Sequence, residues 1–440
     1  MHMDALPDEL LREVFVHLRH DQKNTLSACS LVSRAWSHPA QKTLFHNVRL
    51  GPQNMCLPRT DTPDTVPMHA VGTVLDYEAF VPFIQARPGL ANAVKELCIE
   101  GRIISLIISG SRSLDKDALP AFQISLDTVM TIAEALPALQ RLSLWGFVMD
   151  THPQLPHVSI SLNVLELNTI GFLTTSHIFD MFKFLRPAAI RVHRCFWKAA
   201  STRLSADTDL RNVVAESWYL HDMQIGLSQR YVGELARLLL HTPFTMCVRS
   251  LSVKVGTVPT LPPLVALLEA CGPNLHTFKI DLQNLAKPTQ QFNDSADRRA
   301  VRQRELADAF HGFDLSRWAS LRRLDFTFAA ALRLETDKQS ALRVQLVETV
   351  LSTMPVSVVE VRLGLCVVQP DDDESRPDAM CGSLLERLNG LLGRLKHLQR
   401  VVVAITGMYA ATENEDYGVV RVVQDGLPAI LPVLHVTRLA

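Results

Sequence analysis

Two rhythms of apolar residues divide this chain. Between Leu6 and Leu50 the rhythm is helical: Leu10, Val14 and Leu18 fall at i, i+4 and i+8, which predicts one apolar helix face. Pro7 precedes it, and proline suits a first helical turn because its missing N–H is not needed there. A second apolar group follows at Leu26, Cys29, Leu31 and Val32, running into Ser33-Arg34-Ala35-Trp36. Pro39 is expected to interrupt, and a last short segment contains Leu44, Phe45 and Val48. Three short helices of this size enclose a very small core, so the segment is expected to need a partner or a neighbouring domain to stay folded.

Beyond it the period changes. Gly51 to Pro67 holds four prolines among Asn, Thr and Asp and predicts a linker. A helical pattern, Val74 to Gln85, follows. Then a unit of the form apolar-x-x-apolar-x-apolar recurs: VKELCI at Val94, LQRLSL at Leu139, LNVLEL at Leu162, PAAIRV at Pro187, LRNVVA at Leu210 and VRSLSV at Val248. It returns as LHTFKI at Leu275, LRRLDF at Leu321, VVEVRL at Val358, LQRVVV at Leu398 and LPVLHV at Leu431. Alternation with period two predicts half-buried strands, centred on positions 97, 142, 165, 190, 213, 251, 278, 324, 361, 401 and 434. Helical patterns lie between them, at Ser125 to Leu136, His177 to Leu185, Tyr231 to Leu240, Leu264 to Cys271, Ala341 to Leu351 and Leu384 to Leu395. Several are stopped by proline: Pro137, Pro187, Pro243 and Pro355. The fold class is therefore α/β: an N-terminal three-helix unit (1–50), a linker with a connecting helix (51–93), then a right-handed repeat solenoid (94–440) with a parallel inner sheet and outer helices. The longer gaps, Ile107 to Pro120, Gln283 to Ala300, Pro370 to Asp378 and Thr412 to Gly418, are expected to be surface loops.

In such a repeat the apolar positions face the core and the intervening ones face the concave surface. That assigns Arg141, Ser143 and Trp145, Val164, Glu166 and Asn168, and Arg191 and His193 to one exposed face. Further along it assigns Ser250, Ser252, Lys254, Thr277, Lys279, Asp281, Arg323, Asp325, Thr327, Glu360 and Arg362. Mixed charge suits a protein or peptide partner. Trp145 beside Arg141 and Arg191 has the composition of an interface anchor; the alternative is a Trp covered by a neighbouring loop. The target-binding candidates are Arg141, Trp145, Glu166, Arg191 and His193.

Composition narrows the field. The 440 residues are 47% hydrophobic and 20% charged, enough apolar surface for a large core and too apolar for a disordered chain. The formal net charge of -1 gives no general attraction to nucleic acid or to an anionic membrane. No apolar run approaches a membrane span. The eight cysteines form no C-x-x-C pair, which leaves zinc without support and favours a reducing compartment. Phosphate-loop, nucleophile-elbow, H-E-x-x-H and G-x-G-x-x-G motifs are absent, so neither catalysis nor a cofactor is expected.

The first fifty residues resemble an F-box. The likeness rests on Leu6-Pro7, Leu10, Val14-Phe15, Leu18, the block Ser30-Leu31-Val32-Ser33-Arg34-Ala35-Trp36, and Leu44-Phe45. The connection from His20 to Thr25 departs from it, being charged and polar where many members carry Leu or Ile near an acidic residue. The remainder resembles the degenerate leucine-rich repeats attached to many fungal F-box proteins; several gaps are too long for regular repeats and the usual Asn or Cys after the strand is largely missing. The resemblance implies a non-catalytic substrate receptor of a ubiquitin ligase, working in the cytoplasm, the nucleus or both. A Skp-type adaptor, and through it cullin and RING subunits, would bind Leu6, Pro7, Leu10, Val14, Leu18, Leu31, Val32, Arg34 and Trp36. The alternative is an adaptor-bound scaffold without a degradation target.

Overall fold

A computed structural model describes residues 8–18, 23–51, 77–101, 123–150, 158–172, 178, 181–182, 184–193, 195–197, 220–226, 235–236, 239–240, 245, 247–254, 261–281, 314–331, 348–368, 386, 388–407, 424–425 and 427–439. The four long gaps expected as loops, the strand expected at Leu210 and most of the proline-rich linker lie outside these residues. The chain is mixed α/β with parallel sheet and N-terminal helices, and divides into two compact units, Met1–Trp218 and Tyr219–Ala440.

Unit 1 opens with α1 (Asp8–Leu18), α2 (Lys23–Val32) and α3 (Arg34–Leu44). Their core consists of Leu11, Phe15, Leu26 and Ala40, with Leu18, Cys29, Trp36 and Leu44 packed against it. The buried stripe of α1 is thus Leu11-Phe15-Leu18, where the periodicity pointed to Leu10-Val14-Leu18. Successive residues lie about 100° apart on a helix, so α1 carries two adjoining apolar stripes, and the one bearing the larger Phe15 fills the core. Phe15 meets Trp36 edge to face, with centroids 5.7 Å apart. Ser33 caps α3 by accepting the Trp36 N–H at 3.2 Å. Pro39 was expected to break the chain here, but α3 continues through it; the Thr43 hydroxyl bonds the Pro39 carbonyl at 3.0 Å. The connecting helix expected at Val74 to Gln85 is α4 (Tyr77–Gln85), and a short α5 (Pro88–Ala91), not expected, follows it, which makes five helices ahead of the second strand among the described residues.

Five parallel strands follow one another across unit 1: β1 (Asn47–Leu50), β2 (Glu96–Glu100), β4 (Arg141–Trp145), β6 (Ile160–Asn168) and β8 (Leu185–His193). The first is the end of the helical segment itself. Val48, Leu97, Leu142, Leu165 and Ile190 share one register row, and Leu50, Ile99, Leu144, Leu167 and Val192 the next. All ten are buried. Fully burying a Leu or Ile contributes about 1.5–3 kcal/mol, so these two rows fix the register. Between β2 and β4 lies a helix, Leu126–Glu134, capped by Ser125, which accepts the Thr128 N–H at 3.1 Å.

A second parallel sheet was not foreseen: β3 (Gln123–Ser125), β5 (Val148–Asp150), β7 (Gly171–Phe172) and β9 (Phe196–Trp197), in that order. Its last three strands each begin shortly after a long strand ends. Phe147, Ile170 and Cys195 occupy equivalent corner positions and are buried, with the Cys195 thiol 4.0 Å from the Leu167 carbonyl. Gly146, at φ 72°, makes the first of these turns. The strand expected from Pro187 is present in β8, but it starts earlier: Leu185, expected as a helix end, is a strand residue, buried and paired with Ile160.

Among its described residues unit 2 has seven parallel strands in chain order: β10 (Asp222–Gly226), β11 (Ser250–Lys254), β12 (Thr277–Asp281), β13 (Arg323–Ala331), β14 (Glu360–Val368), β15 (Arg400–Gly407) and β16 (Leu434–Leu439). Positions 251, 278, 324, 361, 401 and 434 stand in one register row, as the repeat spacing predicts. β10 was missed in the sequence because Met223 and Ile225 are flanked by Asp222, Gln224 and Gly226, which breaks the recurrent pattern. The helix Leu261–Cys271 starts earlier than its periodicity suggests, with Pro262 and Pro263 in its first turn.

Candidate functional site

The helical segment leaves apolar side chains without cover. Leu31 is 85% exposed and Val32 66%, and Leu10 and Val14 are about half exposed. Leu18 and Trp36 instead belong to the rim of the small core, and the Trp36 indole N–H is buried with no hydrogen-bond partner among the described residues. Leu6 and Pro7, and the side chain of Arg34, lie outside the described residues. Exposed aliphatic residues on two helices around so small a core are what a helical docking face requires.

The second candidate is the polar face of the unit 1 sheet. Here Arg49, Cys98, Ser143, Glu166 and Arg191 form one register row, and Glu100, Trp145, Asn168 and His193 the next. Arg141 pairs with Glu166 at 2.6 Å, and the Ser143 hydroxyl lies 3.4 Å from the same carboxylate oxygen. The Glu166 side chain is 13% exposed and Arg141 37%, so the acid lies at the floor and the base reaches outward. Arg191 and His193 stand in register beside Glu166 and Asn168. All five sequence-predicted target residues therefore come from three neighbouring strands of one face.

Two residues were missed. Glu100 is buried on this face and forms an ion pair with Arg49, and the Tyr77 hydroxyl donates to the Glu100 carbonyl. The Arg49 guanidinium also lies 6.0 Å from the Trp145 ring centroid, a cation–π contact. Trp145 is only partly exposed, and both its indole N–H and the Arg49 Nε are buried without a hydrogen-bond partner among the described residues. Arg49 was missed because β1 was not recognised as a sheet strand, although Val48-x-Leu50 carries the period-two signal. Burial, reinforced by the Glu100 carboxylate, pushes the Cys98 thiol up to about 12, which removes it as a nucleophile near neutral pH. Among the described residues no group of three or more His, Cys, Asp or Glu is placed to hold a metal ion. No described helix is long and apolar enough to cross a membrane.

Residues 3–50 match the family model described as F-box-like. No curated protein matches the chain. An F-box-like domain implies binding to a Skp-type adaptor and association with ubiquitin ligase complexes, in which such proteins are generally non-catalytic subunits.

Proposed function

We propose that this chain is the substrate-receptor subunit of a Skp–cullin–F-box ubiquitin ligase, acting in the cytoplasm, the nucleus or both. The observation that carries the proposal is the exposed set Leu10, Val14, Leu31 and Val32 on helices inside the F-box-like segment. Covering these residues with the adaptor removes apolar surface from water and adds partner contacts around the small core built on Leu11, Phe15, Leu26 and Ala40. Cullin and RING subunits would follow through the adaptor.

The strands after the helical segment are read as leucine-rich-repeat-like. In-register apolar rows and parallel pairing within each unit support this, and so do the equivalent buried corners at Phe147, Ile170 and Cys195. A protein target would bind the polar face of unit 1, with Trp145 as anchor and Arg141, Glu166, Arg191 and His193 around it. The chemistry then belongs to the ligase. This subunit raises the effective concentration of target lysines near the charged conjugating enzyme.

Co-purification with a Skp-type adaptor and cullin tests the reading. Wild type should retain both, and Leu31→Asp/Val32→Asp should lose both while the sheets stay folded. Undiminished adaptor binding by that variant would overturn the proposal. Trp145→Ala should keep the adaptor and release ubiquitylated partners that otherwise accumulate under proteasome inhibition.

A further inference from the structure

Unit 2 has a polar sheet face of its own. Five cationic side chains lie on consecutive strands: Lys254 on β11, Lys279 on β12, Arg323 on β13, Arg362 on β14 and Arg400 on β15. Between them stand Asp281, Asp325 and Glu360. Strands about 4.8 Å apart carry such a series across the sheet.

The pairing is asymmetric. In five ion pairs among the described residues of this face the base is more exposed than the acid; Lys279 is 47% exposed and its partner Asp325 14%. The carboxylates therefore form a floor and the cations an outer layer. Most of the pairs are also long. Lys254 to Asp281 is 3.5 Å, Lys279 to Asp325 is 3.8 Å, and Arg323 lies 3.9 Å from Asp325 and 3.7 Å from Glu360. An N–H···O hydrogen bond is about 2.7–3.2 Å, so these contacts fix the cations electrostatically without using up their donors. Arg362 makes a short bond, from Nε to Glu360 at 2.9 Å. The Arg323 Nε is buried with no hydrogen-bond partner among the described residues. Arg400 stands in register opposite Glu360 and is exposed.

We propose that this face docks an acidic protein segment, whose carboxylates accept hydrogen bonds from Lys254, Lys279, Arg323, Arg362 and Arg400. Charge complementarity selects this occupant. Lys254, Lys279, Arg323 and Arg362 are held beside the floor acids, and Arg400 stands exposed at the end of the series, which suits discrete acceptors spaced along a peptide. A nucleic-acid backbone is a worse fit. Its affinity comes from neutralising many phosphates with uncompensated cations, and here three floor carboxylates sit directly beneath the bound strand. The proposal is independent of the adaptor face and of the Trp145 face.

The test is fluorescence anisotropy on the full chain, with a labelled peptide of about a dozen residues carrying Glu at alternate positions. Its controls are the same peptide with every Glu replaced by Gln and a single-stranded oligonucleotide of equal charge. The acidic peptide should bind saturably, weaken as salt rises, and exceed both controls. Lys279→Gln/Arg400→Gln should lose about tenfold in affinity, and Lys279→Arg/Arg400→Lys, which keeps the charges, should restore most of it. A thermal melt of each variant checks the fold, and adaptor co-purification should be unchanged throughout. Equal binding of the Gln peptide, no binding of the acidic peptide, or an unchanged affinity in a folded Lys279→Gln/Arg400→Gln variant would each overturn the proposal. Tighter binding of the oligonucleotide would do so in favour of a polyanion surface.

Discussion

Among the described residues the core of α1–α3 is small, built on Leu11, Phe15, Leu26 and Ala40, whereas five strands of unit 1 bury ten side chains in two continuous rows. The helical segment has helices longer than its core can use, so Leu10, Val14, Leu31 and Val32 remain in water. The sheet sorts its residues strand by strand, apolar to one face and charged to the other, and leaves few aliphatic side chains exposed. A region that cannot bury its own apolar surface is suited to constitutive docking through that surface. A region that can do so is free to use its other face for polar, exchangeable contacts. The two regions join covalently at β1, which ends the F-box-like segment and supplies the first strand of the sheet.

That join is where the comparison is easiest to break. A variant lacking residues 1–50 loses Val48 and Leu50 from the buried rows and leaves the β2 edge unpaired. It should aggregate, while a variant lacking residues 1–45 and keeping β1 should stay soluble; size-exclusion chromatography separates the outcomes. Next in size is Leu144→Ala, in the middle of a buried row, expected to cost about 2–5 kcal/mol in a denaturant melt. By contrast Leu31→Ala, at an exposed position, should change the stability of the isolated chain by less than about 0.5 kcal/mol and still weaken the adaptor complex. Equal destabilisation by the two would erase the distinction between regions.

Arg49 sharpens the comparison at the polar face. Arg49→Ala leaves the buried Glu100 carboxylate without its cation and uncovers Trp145, and should cost about 2 kcal/mol or more. Arg141→Ala acts on a pair whose base is more exposed and should cost less; paired thermal melts give the order.

The strands were legible in the sequence because their period is two and their burial is one-sided. Register rows through 97, 142, 165 and 190, and through 251 to 434, follow directly from Leu-x-x-Leu-x-Leu spacing. The helical segment was legible by its motif but less so by its geometry. Adjoining residues such as Leu10 and Leu11, or Val14 and Phe15, are both apolar, and only packing decides which enters the core. The small sheet β3-β5-β7-β9 was hidden for a related reason. Its strands are two or three residues long, too short to carry a period. Five residues of the unit 1 face could be named from register alone, and Glu100 follows from the same spacing, opposite Trp145, whereas its partner Arg49 does not. Their contact depends on β1 pairing with β2, across a stretch whose sequence gives no distance.

The smallest expected effect concerns cysteine chemistry, which reports on the opening of each region. Burial pushes the Cys195 and Cys271 thiols up to about 12, from an ordinary value of 9.0. A thiol whose folded value is raised favours the folded state fully below the unfolded value. Its contribution is lost as pH climbs from about 9 through about 12, because only the unfolded chain then releases the proton freely. Stability should therefore decline over that alkaline window, and a Cys195→Ala/Cys271→Ala variant should decline less. Cys29, at the rim of the helical core, is only partly buried. Alkylation at about pH 8 should modify the more accessible Cys29 long before Cys195 or Cys271, and added Skp-type adaptor should slow the Cys29 reaction alone. Mass spectrometry of timed samples reads all three rates. Faster reaction at Cys195 than at Cys29 would mean that the sheet opens more readily than the helices, reversing the difference between the two regions.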